Sequence, residues 1–140
     1  MKEKILNYPF SFILITAIWI ICMIPVPETP LNDVCFIDKW THFVMYASLT
    51  VTIWWEYISR HRKSSQFKMN RLLIGGILCP IAMGCLIELA QAYLTTCRSG
   101  DWFDAVCNAI GVILGGFIGY LIKVVRYKKK RHVSQHSAQF

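Results

Sequence analysis

The chain has 140 residues, 55% of them hydrophobic, with a mean hydropathy of +0.43 and a formal net charge of +7. That is too apolar for an ordinary soluble domain and too short for two units, so a single small membrane domain over residues 1–140 is the expected class. Nucleic acid is not expected as a partner despite the basic balance, because the charge is segregated along the chain and carries no aromatic interleaving.

Four apolar stretches, 8–24, 40–58, 72–94 and 103–124, approach or exceed the roughly 20 residues a helix needs to cross about 30 Å of hydrocarbon. They predict an all-α, polytopic fold, a four-transmembrane-helix bundle. Of 15 Lys and Arg, two precede the first stretch, five lie between Arg60 and Arg71, and six between Lys123 and Arg131. Thirteen thus fall on one side of a four-span chain, and the positive-inside rule makes that side cytoplasmic, with both termini on it. The first stretch follows Lys2 and Lys4 but has no small-x-small cleavage site after Cys22, and reads as a retained signal anchor.

Residues 25–37 carry three prolines, Glu28 and Asp33, a composition of extended surface turn. They lead into Asp38, Lys39, His42 and Tyr46, of which Asp38, His42 and Tyr46 are four apart and share one helical face. Glu56 and His61, near basic residues at the other end of this stretch, read as solvated. Residues 59–70 form a basic cytoplasmic connector. In the third stretch Pro80 and Gly84 predict a bend or gap, and Glu88 and Gln91 lie on the side of Gly84. The next loop is short and holds Arg98 and Asp101, so the third and fourth helices are antiparallel neighbours.

The fourth stretch opens with Asp104 and Asn108 and continues on that face through Gly111, Gly115 and Gly119. Small residues four apart let another helix approach closely, which suits packing inside the bundle and, as the alternative, dimerisation; the oligomeric state is left open. Residues 125–140 form a basic cytoplasmic tail that anchors the topology and attracts anionic lipid. Six cysteines show no zinc spacing. Cys22, Cys79, Cys85 and Cys107 fall within or near the spans, whereas Cys35 and Cys97 fall in the two outward loops and are the candidate disulfide.

All three polar stripes lie on the outer halves of their helices, where unpaired charge in hydrocarbon costs several kcal/mol. They predict one outward-facing pocket or polar network built from Asp38, Lys39, His42, Tyr46, Glu88, Gln91, Arg98, Asp101, Asp104 and Asn108. Lys39 and Arg98 suit a phosphate. Glu88 and His42 are alternative candidates for a general base, and Asp38 with Asp104 could ligate a divalent metal, although no metal or nucleophile signature is present and no cofactor is assigned. A closed structural network of ion pairs is the alternative, with Asp101 pairing Arg98 or capping the fourth helix.

The combined pattern, Asp38-Lys39-x-x-His42-x-x-x-Tyr46, Glu88-x-x-Gln91 and Arg98-x-x-Asp101-x-x-Asp104-x-x-x-Asn108-x-x-Gly111-x-x-x-Gly115, resembles the VanZ-like family of small bacterial membrane proteins. The likeness runs from about Pro25 to Gly119. It implies a bacterial inner-membrane protein acting at the cell envelope, because the named member of the family is associated with teicoplanin resistance. The expectation is therefore a multi-pass protein binding an anionic lipid headgroup or a lipid-linked envelope precursor. An intramembrane enzyme acting on a lipid-linked phosphate or ester is the first alternative, and a structural partner of another membrane protein the second.

Overall fold

The computed structural model describes residues 8–24, 37–61, 68–94 and 101–137, with side chains to residue 127. Cys35, Cys97 and Arg98, and with them the candidate disulfide, lie outside the described residues. All regular structure among those residues is helical: α1 (Pro9–Met23), α2 (Ile37–His61), α3 (Met69–Leu94) and α4 (Trp102–Ser137).

α1 is short and makes few of its own caps. Pro9 suits its first position, where a missing N–H costs nothing. Tyr8 before it supplies no side-chain cap. The acceptor comes from α2 instead: the Glu56 carboxylate accepts the N–H groups of Phe10 and Ser11, each at 3.1 Å, and the Ser11 hydroxyl. At the far end Gln91 of α3 donates from Nε2 to the Cys22 carbonyl at 2.8 Å. Its fifteen residues make a helix about 22 Å long. Helix-end N–H and C=O groups buried from water require protein partners, and the two cross-helix bonds supply them. Glu56 is thus buried, 5% exposed, which corrects its reading as a solvated residue.

α2 and α4 run parallel and in close contact. A Cβ on Gly111 would collide with the Phe43 carbonyl oxygen, on Gly115 it would lie 2.6 Å from the Ala47 carbonyl, and on Gly119 2.6 Å from Trp54. This stripe of glycines is covered by α2. α3 runs antiparallel to α4, with Gly116 against Ile77 and Gly84 against Asn108. The helices enclose a core of Ile18, Cys22, Tyr46, Leu49, Ile87 and Val112, and a second cluster of Trp54, Tyr57, Ile58 and Leu72 nearer the basic end. There the Tyr57 hydroxyl accepts the Lys68 N–H and donates to the Lys68 carbonyl, both at 3.1 Å, fixing the start of α3 to α2.

Irregularity in α3 falls at Ile74–Leu78, which forms a π turn, not at Gly84. Pro80 has no N–H to give the Gly76 carbonyl and its ring would press on that carbonyl, so the wider turn just before it relieves both problems. Gly76 in that turn admits the Trp54 indole, whose Nε1 lies 2.8 Å from where a Cβ would be.

By length and composition α3 over Met69–Leu94 and α4 over Trp102–Tyr127 are each able to cross a membrane. Only 33% of each apolar window is buried inside the molecule, unlike the core helix of a soluble protein, and the exposed remainder includes Leu78, Leu86, Ile113 and Phe117. The same is true of α1, where Phe10, Phe12, Ile13 and Ile20 are at least half exposed. Apolar surface of this extent suggests a membrane protein.

Candidate functional site

At the end of the bundle where α2 and α4 begin and α3 finishes, the ionisable side chains meet. Asp101 is the hub. Its Oδ1 accepts the Phe103 N–H at 2.9 Å, capping α4, and its Oδ2 accepts from Lys39 Nζ at 2.9 Å. Its own N–H donates to Glu88 Oε2 at 3.2 Å, tying α3 to the start of α4. Lys39 also reaches Asp104 Oδ1 at 3.3 Å. The hydrogen bond with Asp101 raises the Lys39 pKa above the usual lysine value. The same bond, helped by the Phe103 N–H, holds Asp101 below the usual carboxyl value.

One turn deeper lies a second layer. His42 Nδ1 is 3.1 Å from Asn108 Oδ1 and 3.7 Å from Glu88 Oε1, so it donates to the amide and only approaches the carboxylate. His42 and Asn108 are each 1% exposed and Glu88 8%. Glu88 Oε1, Asn108 Nδ2 and Tyr46 Oη have no hydrogen-bond partner among the described residues. Gly84 makes room here: a Cβ would meet Asn108 at 3.2 Å and the Tyr46 ring at 3.4 Å. Near the entrance, ligand atoms of Asp38, His42 and Asp104 all lie within 4.8 Å of one another.

Beside this cluster opens a cleft of about 240 Å³ lined by Cys85, Glu88, Leu89, Ala92, Tyr93, Asp101, Trp102 and Ala105. Its walls are apolar, and Tyr93 and Trp102 are 81% and 86% exposed. Glu88 and Asp101 are common to cleft and cluster.

Asp38, Lys39, His42, Glu88, Asp101, Asp104 and Asn108 are thus gathered at one end, with Tyr46 below them. Gln91 sits apart, capping α1. Lys39 is held by two carboxylates, which alters its part from that of a free anion receptor. Glu56 and the apolar cleft were missed. Glu56 had one signal: Tyr8, directly before Pro9, is not a capping residue type, which leaves the first N–H groups of α1 to another acceptor. The cleft is lined from α3 and from the start of α4, with Ala92 and Ala105 among its walls, and helix periodicity does not report such a junction.

No family model matches the chain, and no solved structure matches it. The chain is 27% identical over 131 residues, 94% of its length and 72% of the other's, to an uncharacterized protein of the fission yeast Schizosaccharomyces pombe. These findings overturn the resemblance to the bacterial VanZ-like family, since no family model supports it and the similar protein is eukaryotic. The bacterial inner membrane, the cell-envelope precursor and the link to teicoplanin lose their support with it.

Proposed function

We propose that this chain is a single-domain, multi-pass membrane protein whose four helices cross the bilayer over residues 8–24, 40–58, 72–94 and 103–124. Both termini lie on the basic, cytoplasmic side, and the polar cluster on the opposite side binds a lipid with an anionic headgroup. Glu88 carries the reading, because it belongs both to the ionisable cluster and to the apolar cleft. A site that is polar on one side and apolar on the other matches an amphiphile. The cleft is smaller than the roughly 300 to 1,000 Å³ of common small-molecule pockets, so it suits one end of a hydrocarbon chain. The Lys39 ammonium has three donors and gives bonds to Asp101 and Asp104; a headgroup phosphate takes the third. Arg98, outside the described residues, is the second candidate for the phosphate.

Lipid extraction and mass spectrometry of the purified protein test this reading. One anionic lipid class should be enriched over its share of the host membrane, and Ala92→Trp, which fills the cleft, should abolish the enrichment. A lipid profile identical to the bulk membrane for both proteins contradicts it.

The unpartnered Glu88 Oε1 near His42 favours a second reading, an enzyme acting on a lipid-linked phosphate or ester with Glu88 or His42 as general base. It predicts that Glu88→Gln turns over no lipid substrate while still folding.

A further inference from the structure

Among the described residues, the cluster at the head of α2 and α4 gathers more carboxylates than cations. Of these described residues, Glu88, Asp101 and Asp104 face one ammonium, Lys39, which bonds to Asp101 and Asp104. Asp104 is 5% exposed and Glu88 8%. Several carboxylates in a dry site are tolerated only when protons or cations neutralise them.

The arrangement favours a cation. Asp38 and His42 stand one turn apart on α2, Asp104 joins them from α4, and their ligand atoms lie within 4.8 Å of one another. Two carboxylates and an imidazole on two helices make a chelate that rotamer adjustments of about 1 Å bring to ordinary metal–ligand lengths. His42 is oriented as a ligand. With Nδ1–H given to Asn108 Oδ1 at 3.1 Å, Nε2 is the ring nitrogen left to ligate, the arrangement by which an outer partner fixes a metal-binding histidine. An independent sign comes from α3, whose Glu88 Oε1 is buried without a hydrogen-bond partner among the described residues, 3.7 Å from His42 Nδ1. A lone carboxylate oxygen there suits an acceptor for a cation-bound water.

We propose that Asp38, His42 and Asp104 form a divalent-cation site, for Mn²⁺ or Zn²⁺, with Asn108 orienting His42 and Glu88 accepting a hydrogen bond from a metal-bound water. Mixed carboxylate and imidazole donors without thiolate select this class over soft metals and over Ca²⁺. The inference rests on the proposed headgroup site only in that the cation would meet the phosphate there; metal content is measured separately from lipid.

The test strips the tag-free, detergent-purified protein with a chelator, dialyses it against Mn²⁺ or Zn²⁺, and measures bound metal by plasma mass spectrometry. Wild type should retain about one equivalent per chain of one of the two, and Asp38→Asn should weaken binding at least about tenfold. His42→Gln and Asp104→Asn should lose it, with circular dichroism confirming that each variant is folded; Asp38→Asn, at the helix end, serves where a buried variant does not fold. Wild type binding neither metal, or a folded Asp38→Asn or His42→Gln variant binding like wild type, overturns the site and leaves proton neutralisation as the answer. Metal binding without lipid enrichment sinks the lipid reading alone, and the reverse sinks the cation alone.

Discussion

Lys39 and Asp101 show how a pair at the edge of a helix bundle makes stability depend on pH. Asp101 titrates below the ordinary 3.8 and Lys39 above the ordinary 10.5, each because of the other. A depressed carboxyl stabilises the fold above its unfolded value and loses that contribution as pH falls through the folded one. A raised lysine contributes fully below its unfolded value and loses it as pH rises through the folded one. The difference in melting temperature between wild type and Asp101→Asn should therefore be constant across the neutral range and shrink below pH 3.8 and above pH 10.5. Thermal unfolding in detergent at stepped pH checks it. Because both side chains are partly exposed, 24% and 39%, the difference should also fall as salt is added.

At the scale of the helix, α1 depends on side chains far away in sequence. Glu56 lies 45 residues from Ser11, and Gln91 69 residues from Cys22. Glu56→Ala leaves buried donors without an acceptor and should destabilise the protein by about 2 to 4 kcal/mol, measured by chemical unfolding in detergent. Glu56→Gln, which keeps one acceptor oxygen, should cost about half as much. Gly115→Leu drives a side chain into the Ala47 carbonyl and should cost at least about 3 kcal/mol or prevent folding, read as loss of the monodisperse species. Equal stability of Gly115→Leu and wild type would mean that α2 and α4 do not pack as described. Periodicity shows why part of this was readable: Asp38, His42 and Tyr46, and Asp104, Asn108 and Gly111, are spaced to share faces, so each helix declares its own polar stripe. The long-range bonds were only half readable: Tyr8 before Pro9 offers no cap, yet a carboxylate beside Arg60 looks solvated until α1 is seen packed against it. The π turn was half visible, since Pro80 announces a disturbance but not the turn that absorbs it.

For the whole molecule, the apolar stretches predicted four membrane-crossing helices; the described residues are all helical in their regular structure, and two of the helices, α3 and α4, are long and apolar enough to cross. It did not establish ancestry. Polar residues at four-residue spacing between variable apolar runs recur wherever a bundle buries a polar helix end, so a pattern assembled from such fragments overstated kinship. The site's chemistry shifted for a similar reason: Lys39 looked wholly available to an anion, whereas Asp101 and Asp104 take two of its three donors. What remains is an amphiphilic site, a charged cluster joined at Glu88 to an apolar cleft.

The most direct measurement places a photocrosslinking residue, benzoylphenylalanine, at Leu89 in the cleft and, separately, at Ile113 on the outward face of α4, in the protein reconstituted into native lipid. The account predicts adducts at Leu89 dominated by one anionic lipid class and adducts at Ile113 that mirror the bulk membrane. The same lipid distribution at both positions, or no lipid adduct at either, contradicts it.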